Sequence, residues 1–421
     1  MDITVIIFAL VYLAMGLGHL PGLKIDRTGS AVLGAMLLII LGKIAPTAAW
    51  AAIDFNTIGL LFALMVVSSA FIVSGFYDWL AQYIGGLNVM PSTLLAILIA
   101  VSGVLSALLT NDVIMVTMTP ILCGITLTRR LNPIPFLLGI CFAANIGSAG
   151  TLIGSPKNMI LSETMHLSFS QFSAITLLPT VLSLLVSWVV LAWFYRNRWQ
   201  SAPMDSPEKP SSVLPPPKKL NRIETVKAGI ITLALITAFI FTEWPHMLAA
   251  MAAASLLLLN RRISSSDMLK HVDGNLLLLL MGLFIVNAAM SATGLPQEAV
   301  NWLHHAGIDL HSPTQIFIIS AVVSDLISNN PTVMLLTPFL ADAGQIKILL
   351  AAAISMGASF SSNAVIFGSL AGIIVIEQAK LNGIKLGLGE FMRAGIPVTV
   401  ITMALGIFWI YFLDLSGNYP F

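Results

Sequence analysis

The sequence predicts an all-α polytopic membrane protein made of two inverted repeats, each with five transmembrane helices, one re-entrant hairpin and one discontinuous helix. Three observations predict it: an apolar composition, an uneven division of basic residues between two sides, and polar and Gly/Pro marks that recur in the same order in both halves. Of 421 residues, 57% are hydrophobic and 9% are charged, whereas an average soluble domain is roughly 25% charged. So few charges cannot keep a surface of this size wet, and the chain belongs in a bilayer. A net charge of +1 excludes a nucleic-acid binder. Cys123 and Cys141 lie in apolar stretches, which speaks against a disulfide framework or a thiol metal site. Met1-Asp2-Ile3 lacks the basic start of a cleaved signal peptide, so the first apolar segment is expected to be retained.

A crossing takes about 20 mostly apolar residues, and ten spans meet that rule: 4–20, 29–46, 57–75, 135–162, 172–195, 225–242, 246–261, 274–293, 348–379 and 395–413. Residues 94–128 and 314–341 are apolar too, but Thr110-Asn111-Asp112 and Ser328-Asn329-Asn330-Pro331 interrupt them. Each limb is expected to reach about mid-bilayer and return, a re-entrant path that needs protein or water to satisfy its backbone. Segments 76–91 and 295–310, with Tyr77, Trp79, Tyr83 and Trp302, read as interfacial helices. On this plan 17 of the 20 basic residues fall on one side, Lys43 and Lys347 on the other, and Lys157 inside a span. Positive charge marks the cytoplasmic side. The expected location is the inner (plasma) membrane, with both termini outside and the proline-rich linker 200–222 in the cytoplasm.

The halves repeat each other. Asp54-Phe55-Asn56 returns as Asp273-Gly274-Asn275, Gly75 as Gly294, Thr110-Asn111-Asp112 as Ser328-Asn329-Asn330, Thr119-Pro120 as Thr337-Pro338, and Gly154-Ser155 as Gly368-Ser369. An odd number of spans per copy makes the second insert upside down. Inverted repeats with interrupted helices point to a secondary transporter whose site lies near mid-membrane.

The second interruption in each half runs Asn145 to Asn158 and Gly357 to Ser369. Glycines, hydroxyls and a proline free backbone groups there. Half-helix N-termini then offer N–H donors to an anion, and freed carbonyls can hold a small cation. The candidate substrate-binding residues are therefore Thr110, Asn111, Asp112, Ser148, Thr151, Lys157 and Asn158 in the first half. In the second half they are Ser328, Asn329, Asn330, Ser361, Ser362 and Asn363. Asp112, Asp325 and Lys157 are candidates for proton coupling, because an ionisable group at this depth is costly unless paired or functional. No metal site is assigned beyond a sodium ion near Asn111 and Asn329, and no cofactor is expected apart from Na+ or H+ as coupling ion. Gly150 to Lys157 lacks the spacing of a phosphate loop.

Leu109-Thr110-Asn111-Asp112, Thr119-Pro120 and Gly154-Ser155-Pro156-Lys157-Asn158 together resemble the ion-transporter superfamily of divalent-anion/sodium symporters, citrate transporters, arsenite permeases and NhaD-type antiporters. The break sequence is nearest to the general anion-permease branch. The resemblance implies elevator-type movement of a transport part against a dimerising scaffold. That divides the chain into scaffold 1–93, transport half 94–199, linker 200–222, scaffold 223–312 and transport half 313–421, in an expected homodimer. It also implies that Asn111 and Asn329 orient the substrate, while Asp112 and Asn330 depart from the Ser-Asn-Thr tips of the dicarboxylate symporters.

The expected activity is transport of a small anion or oxyacid across the bilayer, coupled to H+ or Na+. A Na+/H+-type antiporter and an arsenite efflux permease are the alternatives, with an ion channel more remote. No residue pattern points to an enzyme.

Overall fold

The computed structural model describes residues 2–20, 22–200, 219–340 and 343–417. Most of the expected linker, residues 201–218, lies outside the described residues. The first half runs α1 (Ile3–Leu17), α2 (Arg27–Ile40), α3 (Pro46–Ala52), α4 (Phe55–Val73), α5 (Phe76–Gly85), α6 (Pro91–Leu108), α7 (Asn111–Thr128), α8 (Ile134–Ser148), α9 (Pro156–Thr164) and α10 (Phe169–Phe194). The second half runs α11 (Arg222–Phe241), α12 (His246–Leu258), α13 (Ser265–Leu269), α14 (Gly274–Ser291), α15 (Leu295–His305), α16 (Pro313–Ile327), α17 (Asn329–Leu336), α18 (Lys347–Ser361), α19 (Leu370–Leu381) and α20 (Leu388–Ser416). Among the described residues the fold is all helical, and the order of long, short and broken helices is the same twice over.

The recurring residues do the same local work in both halves. Asp54 caps α4 by accepting from the Asn56 and Thr57 N–H groups, and Asp273 caps α14 by accepting from Leu276 N–H. Each cap satisfies donors that the first helical turn leaves without partners. Gly75 and Gly294, at φ 75° and 74°, turn the chain into α5 and α15. A side chain is penalised in that left-handed region.

The halves pack through each other. On α2, Ala31 meets Gly282 and Gly34 meets Val286, both on α14, while Gly59 of α4 meets Met247 of α12. Trp409 of α20 donates to the Ile175 carbonyl of α10 at 2.8 Å. Helices α8 and α18 are buried along nearly their whole length. By contrast, α10 exposes Val181, Leu185 and Val189, and α11 exposes Ile230 and Leu233. An apolar outer surface around a fully buried centre is what a lipid-facing molecule requires.

Six helices are long and apolar enough to cross a membrane by length and composition: α4, α6, α10, α11, α14 and α20. α6 was expected as a half-length limb, yet its 18 residues span about 27 Å. It nevertheless stops part-way along its neighbour. α6 and α8 run in the same direction, with Leu95 against Gly139 and Gly103 against Gly147. The turn at Leu109–Thr110 then lies beside the gap between α8 and α9, where Thr151 Oγ1 donates to the Ala107 carbonyl. Beyond that gap α9 continues alone. The extra length lies at the other end, where α7 runs on until Arg129 wedges under α5, donating to the Gly85 and Leu87 carbonyls at 2.9 and 3.0 Å.

The second hairpin follows the same plan in a shorter form. α16 lies along α18, with the Phe317 carbonyl against Gly357 and the Ala321 carbonyl accepting from Ser361 Oγ. The chain turns at Ser328, and α17 gives way after eight residues to a 3-10 turn at Thr337–Phe339. The two helices expected at the interfaces, α5 and α15, also differ from each other. α5 buries Tyr77, Ala81 and Ile84, whereas α15 buries none of its residues.

Candidate functional site

Two half-helices begin in the same way in the two halves. Ser155 (φ −153°, ψ 147°) precedes α9, and Ser369 (φ −145°, ψ 154°) precedes α19. The preceding segments, 149–155 and 362–369, carry the glycines and hydroxyls that the break requires. Gly154 lies against the Ser148 and Ser106 carbonyls, and Gly368 against Asp325 Oδ1 and Ser362. A Cβ at Gly154 would press on the backbone of the hairpin limb, and one at Gly368 on the Asp325 carboxylate and the Ser362 backbone.

The first break is braced by Asn158. Its Nδ2 donates to the Ser148 and Thr151 carbonyls at 2.8 Å, which the end of α8 leaves without helical partners. Its Oδ1 accepts from Ser355 Oγ of α18 at 2.7 Å. Ser148 Oγ donates back to the Asn145 carbonyl at 2.8 Å. Lys157, 1% exposed, crosses to the other half and donates to Ser359 Oγ on α18. Among the described residues no carboxylate forms a salt bridge with it. Burying an ammonium costs several kcal/mol unless partners repay it, and the nearby C-terminal end of α18 supplies a partial negative charge.

In the second half Asp325 Oδ1 accepts from Ser361 Oγ at 3.1 Å. Asn329 Oδ1 accepts from Ser324 Oγ and from Ser362 Oγ, the latter at 3.2 Å. Ser362 Oγ also lies 2.7 Å from the Ala358 carbonyl and 3.0 Å from that of Gly368. Ser328 holds the turn at φ 77° and ψ 160°, a conformation that costs a non-glycine residue about 1–3 kcal/mol. Asn330 follows in the first turn of α17.

At the first tip, Thr110 is buried. Its N–H approaches Ser68 Oγ at 3.4 Å, and its Oγ1 has no hydrogen-bond partner among the described residues. Asn111 and Asp112 open α7; their side chains lie outside the described residues.

Four polar residues that sequence analysis did not select as candidates join the halves. Asn145 Nδ2 donates to Asn363 Oδ1 and to Ser369 Oγ, each at 3.0 Å, while Ser355 and Ser359 hold Asn158 and Lys157. Asn145 was visible as the first polar side chain after a long apolar run. The serines of α18 carried no such mark.

Two cavities flank the hairpins. One of about 1180 Å³ is lined by Asp78, Gln82, Arg129, His271 and Asp273 at one end, and along α7 by Thr117 and Val113, one residue after the 111–112 pair. Its counterpart beside α17, about 420 Å³, is lined mostly by apolar residues, among them Met290, Leu295, Met334 and Phe339.

Residues 6–347 match the model of the family described as Citrate transporter (CitMHS). The chain belongs to the citrate transporter family. It is 30% identical over 93% of its length and 96% of the other chain to a 46 kDa membrane protein of Mycobacterium leprae. To the silicon efflux transporter LSI3 of Oryza sativa it is 25% identical, covering 92% of this chain and 94% of that one. Among solved structures, the YdaH transporter of Alcanivorax borkumensis superposes with a TM-score of 0.60 over 99% of this chain and 98% of its own, at 13% identity. That likeness is one of fold. The chain is thus a multi-pass membrane transporter, built on the architecture of a known transporter.

Proposed function

We propose that this chain is a secondary active transporter that moves a small anion or oxyacid across the inner membrane, coupled to H+ or Na+, by elevator-type alternating access. The observation that carries this is the inequality of two matched cavities. The one along α7 measures about 1180 Å³ and the one beside α17 about 420 Å³, although the first borders α4, α5 and α7 and the second their equivalents α14, α15 and α17. A carrier stopped on one side of its cycle has one vestibule wide and the other narrow. The wide one is bordered by Arg129 and His271, on the side that the basic residues mark as cytoplasmic.

In this proposal α6–α10 and α16–α20 form the moving transport part. α1–α5 and α11–α15 form the scaffold, through which two copies associate. The repeats are inverted, both termini face outward, and the linker 200–222 is cytoplasmic. Substrate lies between the tips, contacted by Thr110, Asn111, Asp112, Ser328, Asn329 and Asn330. Ser148, Thr151, Asn158, Ser361, Ser362 and Asn363 shape the breaks around it. Lys157, Asp112 and Asp325 balance charge and carry the coupled proton, or share that task with a sodium ion near Asn111 and Asn329. No other cofactor enters. The name of the rice relative, a silicon efflux transporter, supports outward movement of the substrate.

Reconstituted full-length protein tests this. Gradient-driven flux of a labelled anion or oxyacid, lost in Asn329→Ala with normal insertion, is the expected result. Sodium-dependent pH-dye dequenching without any such flux would replace it with cation/proton antiport.

A further inference from the structure

We propose that Asn145 belongs to the binding site, and that with Asn363 it takes a ligand group bearing an O–H: an oxyacid that keeps at least one proton. This rests on the transport function proposed above and narrows its substrate.

The two carboxamides meet across the junction of the halves, 2% and 0% exposed. Asn145 Nδ2 gives both its hydrogens to the second half, one to Asn363 Oδ1 and one to Ser369 Oγ. Two buried atoms of the pair, Asn145 Oδ1 and Asn363 Nδ2, then have no partner among the described residues. One is an acceptor and the other a donor. Turning both amides over exchanges their places but still leaves one of each. An inter-helix brace needs no such remainder, since two apolar side chains of the same shape would pack there at little cost.

The unfilled pair selects its ligand by charge pattern. A fully ionised oxyanion accepts from the N–H and is repelled by the carbonyl oxygen. A bare cation binds the oxygen and is repelled by the amino group. A hydroxyl donates to one and accepts from the other. The pair also cannot close on itself. A Cβ at Gly395 would clash with the backbone carbonyl oxygen of Asn363, and the Phe142 ring closes the same side, so the Asn363 backbone has no room to shift toward α20. Ser369 is held by the start of α19, where it accepts from Gly372 N–H at 3.2 Å. Asn145 is therefore a first-half residue that orients the second-half break and offers its free oxygen to the ligand.

The test uses full-length protein in proteoliposomes near neutral pH with silicic acid, arsenous acid, nitrate and sulfate as probes. The expected result is saturable flux of a hydroxyl-bearing acid that nitrate and sulfate, which carry no O–H at this pH, do not inhibit. Leaving one buried hydrogen-bonding group unpaired should raise KM roughly tenfold in Asn145→Leu with kcat little changed. Asn145→Asp should recover on acidification, when its carboxyl again offers both a donor and an acceptor. An unchanged KM with reduced kcat in Asn145→Leu makes Asn145 a brace and overturns the proposal, as does preferential flux of nitrate or sulfate. Thermal shift in detergent separates this from the transport function. Stabilisation by silicic or arsenous acid that Asn145→Leu abolishes supports the subsite even without flux, and its absence with both acids overturns it.

Discussion

Lys157 of α9 and Ser359 of α18, 202 positions apart in the chain, are hydrogen-bonded at the junction of the two halves. The lysine side chain is almost wholly buried, and α9 and α18 lie on opposite sides of the repeat boundary. The contact is thus both a charge inside the protein and a tie between the breaks. Lys157→Met is expected to insert normally and lose roughly 10- to 100-fold in transport, since a hydrogen bond to a charged group is worth about 1.5–3 kcal/mol. Ser359→Ala should lose about tenfold, in keeping with about 1.5 kcal/mol for one hydrogen bond to a charged group. Flux assays on equal amounts of inserted protein decide it, and a fully active Lys157→Met would leave the lysine a packing residue.

Close approach of the hairpin to the broken helix predicts a second effect. A Cβ at Gly147 would stand 2.4 Å from the Gly103 carbonyl oxygen and 2.6 Å from its Cα, and backbone cannot swing aside as a side chain can. Gly147→Ala should cost about 1–3 kcal/mol by overpacking. Gly229→Ala, on α11 with nothing within 4 Å, should be neutral or stabilise by up to about 1 kcal/mol. Melting midpoints of the two variants in the same detergent provide the comparison.

Much of this arrangement was legible in the residues. Asp54 and Asp273 cap equivalent helices because a short carboxylate before an apolar run satisfies first-turn donors wherever it occurs. Gly75 and Gly294 turn the chain because only glycine enters that backbone region freely. Such marks act locally, so order in the sequence reveals them. The length of α6 was not legible, since an apolar run continues past the lipid boundary without any change of composition. Nor were the partners of Lys157 and Asn145, which lie more than 200 positions away and depend on how the halves interlock.

Strain at the second tip predicts a gain in stability. Ser328 holds φ 77° with ψ 160°, where glycine carries no Cβ penalty. Relief of about 1–3 kcal/mol, less the extra freedom glycine has in the unfolded chain, leaves Ser328→Gly about 1 kcal/mol more stable. The measurement is again the melting midpoint. A loss would mean that Ser328 contributes more through its backbone rigidity than its conformation costs.

His246, the first residue of α12, lies with its Nδ1 3.1 Å from Ser162 Oγ and 3.5 Å from Glu163 Oε1. Its ring packs edge-on against Phe239 at 5.0 Å. These residues join the far end of α9 to the start of α12, on opposite sides of the division proposed above between moving part and scaffold. A polar contact across that division resists sliding, so breaking it should speed turnover. One hydrogen bond worth about 1 kcal/mol changes the rate about fivefold. His246→Leu and Ser162→Ala should each raise turnover by up to that factor while leaving the affinity for substrate unchanged. Flux measured on equal amounts of inserted protein checks it, and unchanged turnover in both variants would mean that the contact does not restrain the movement.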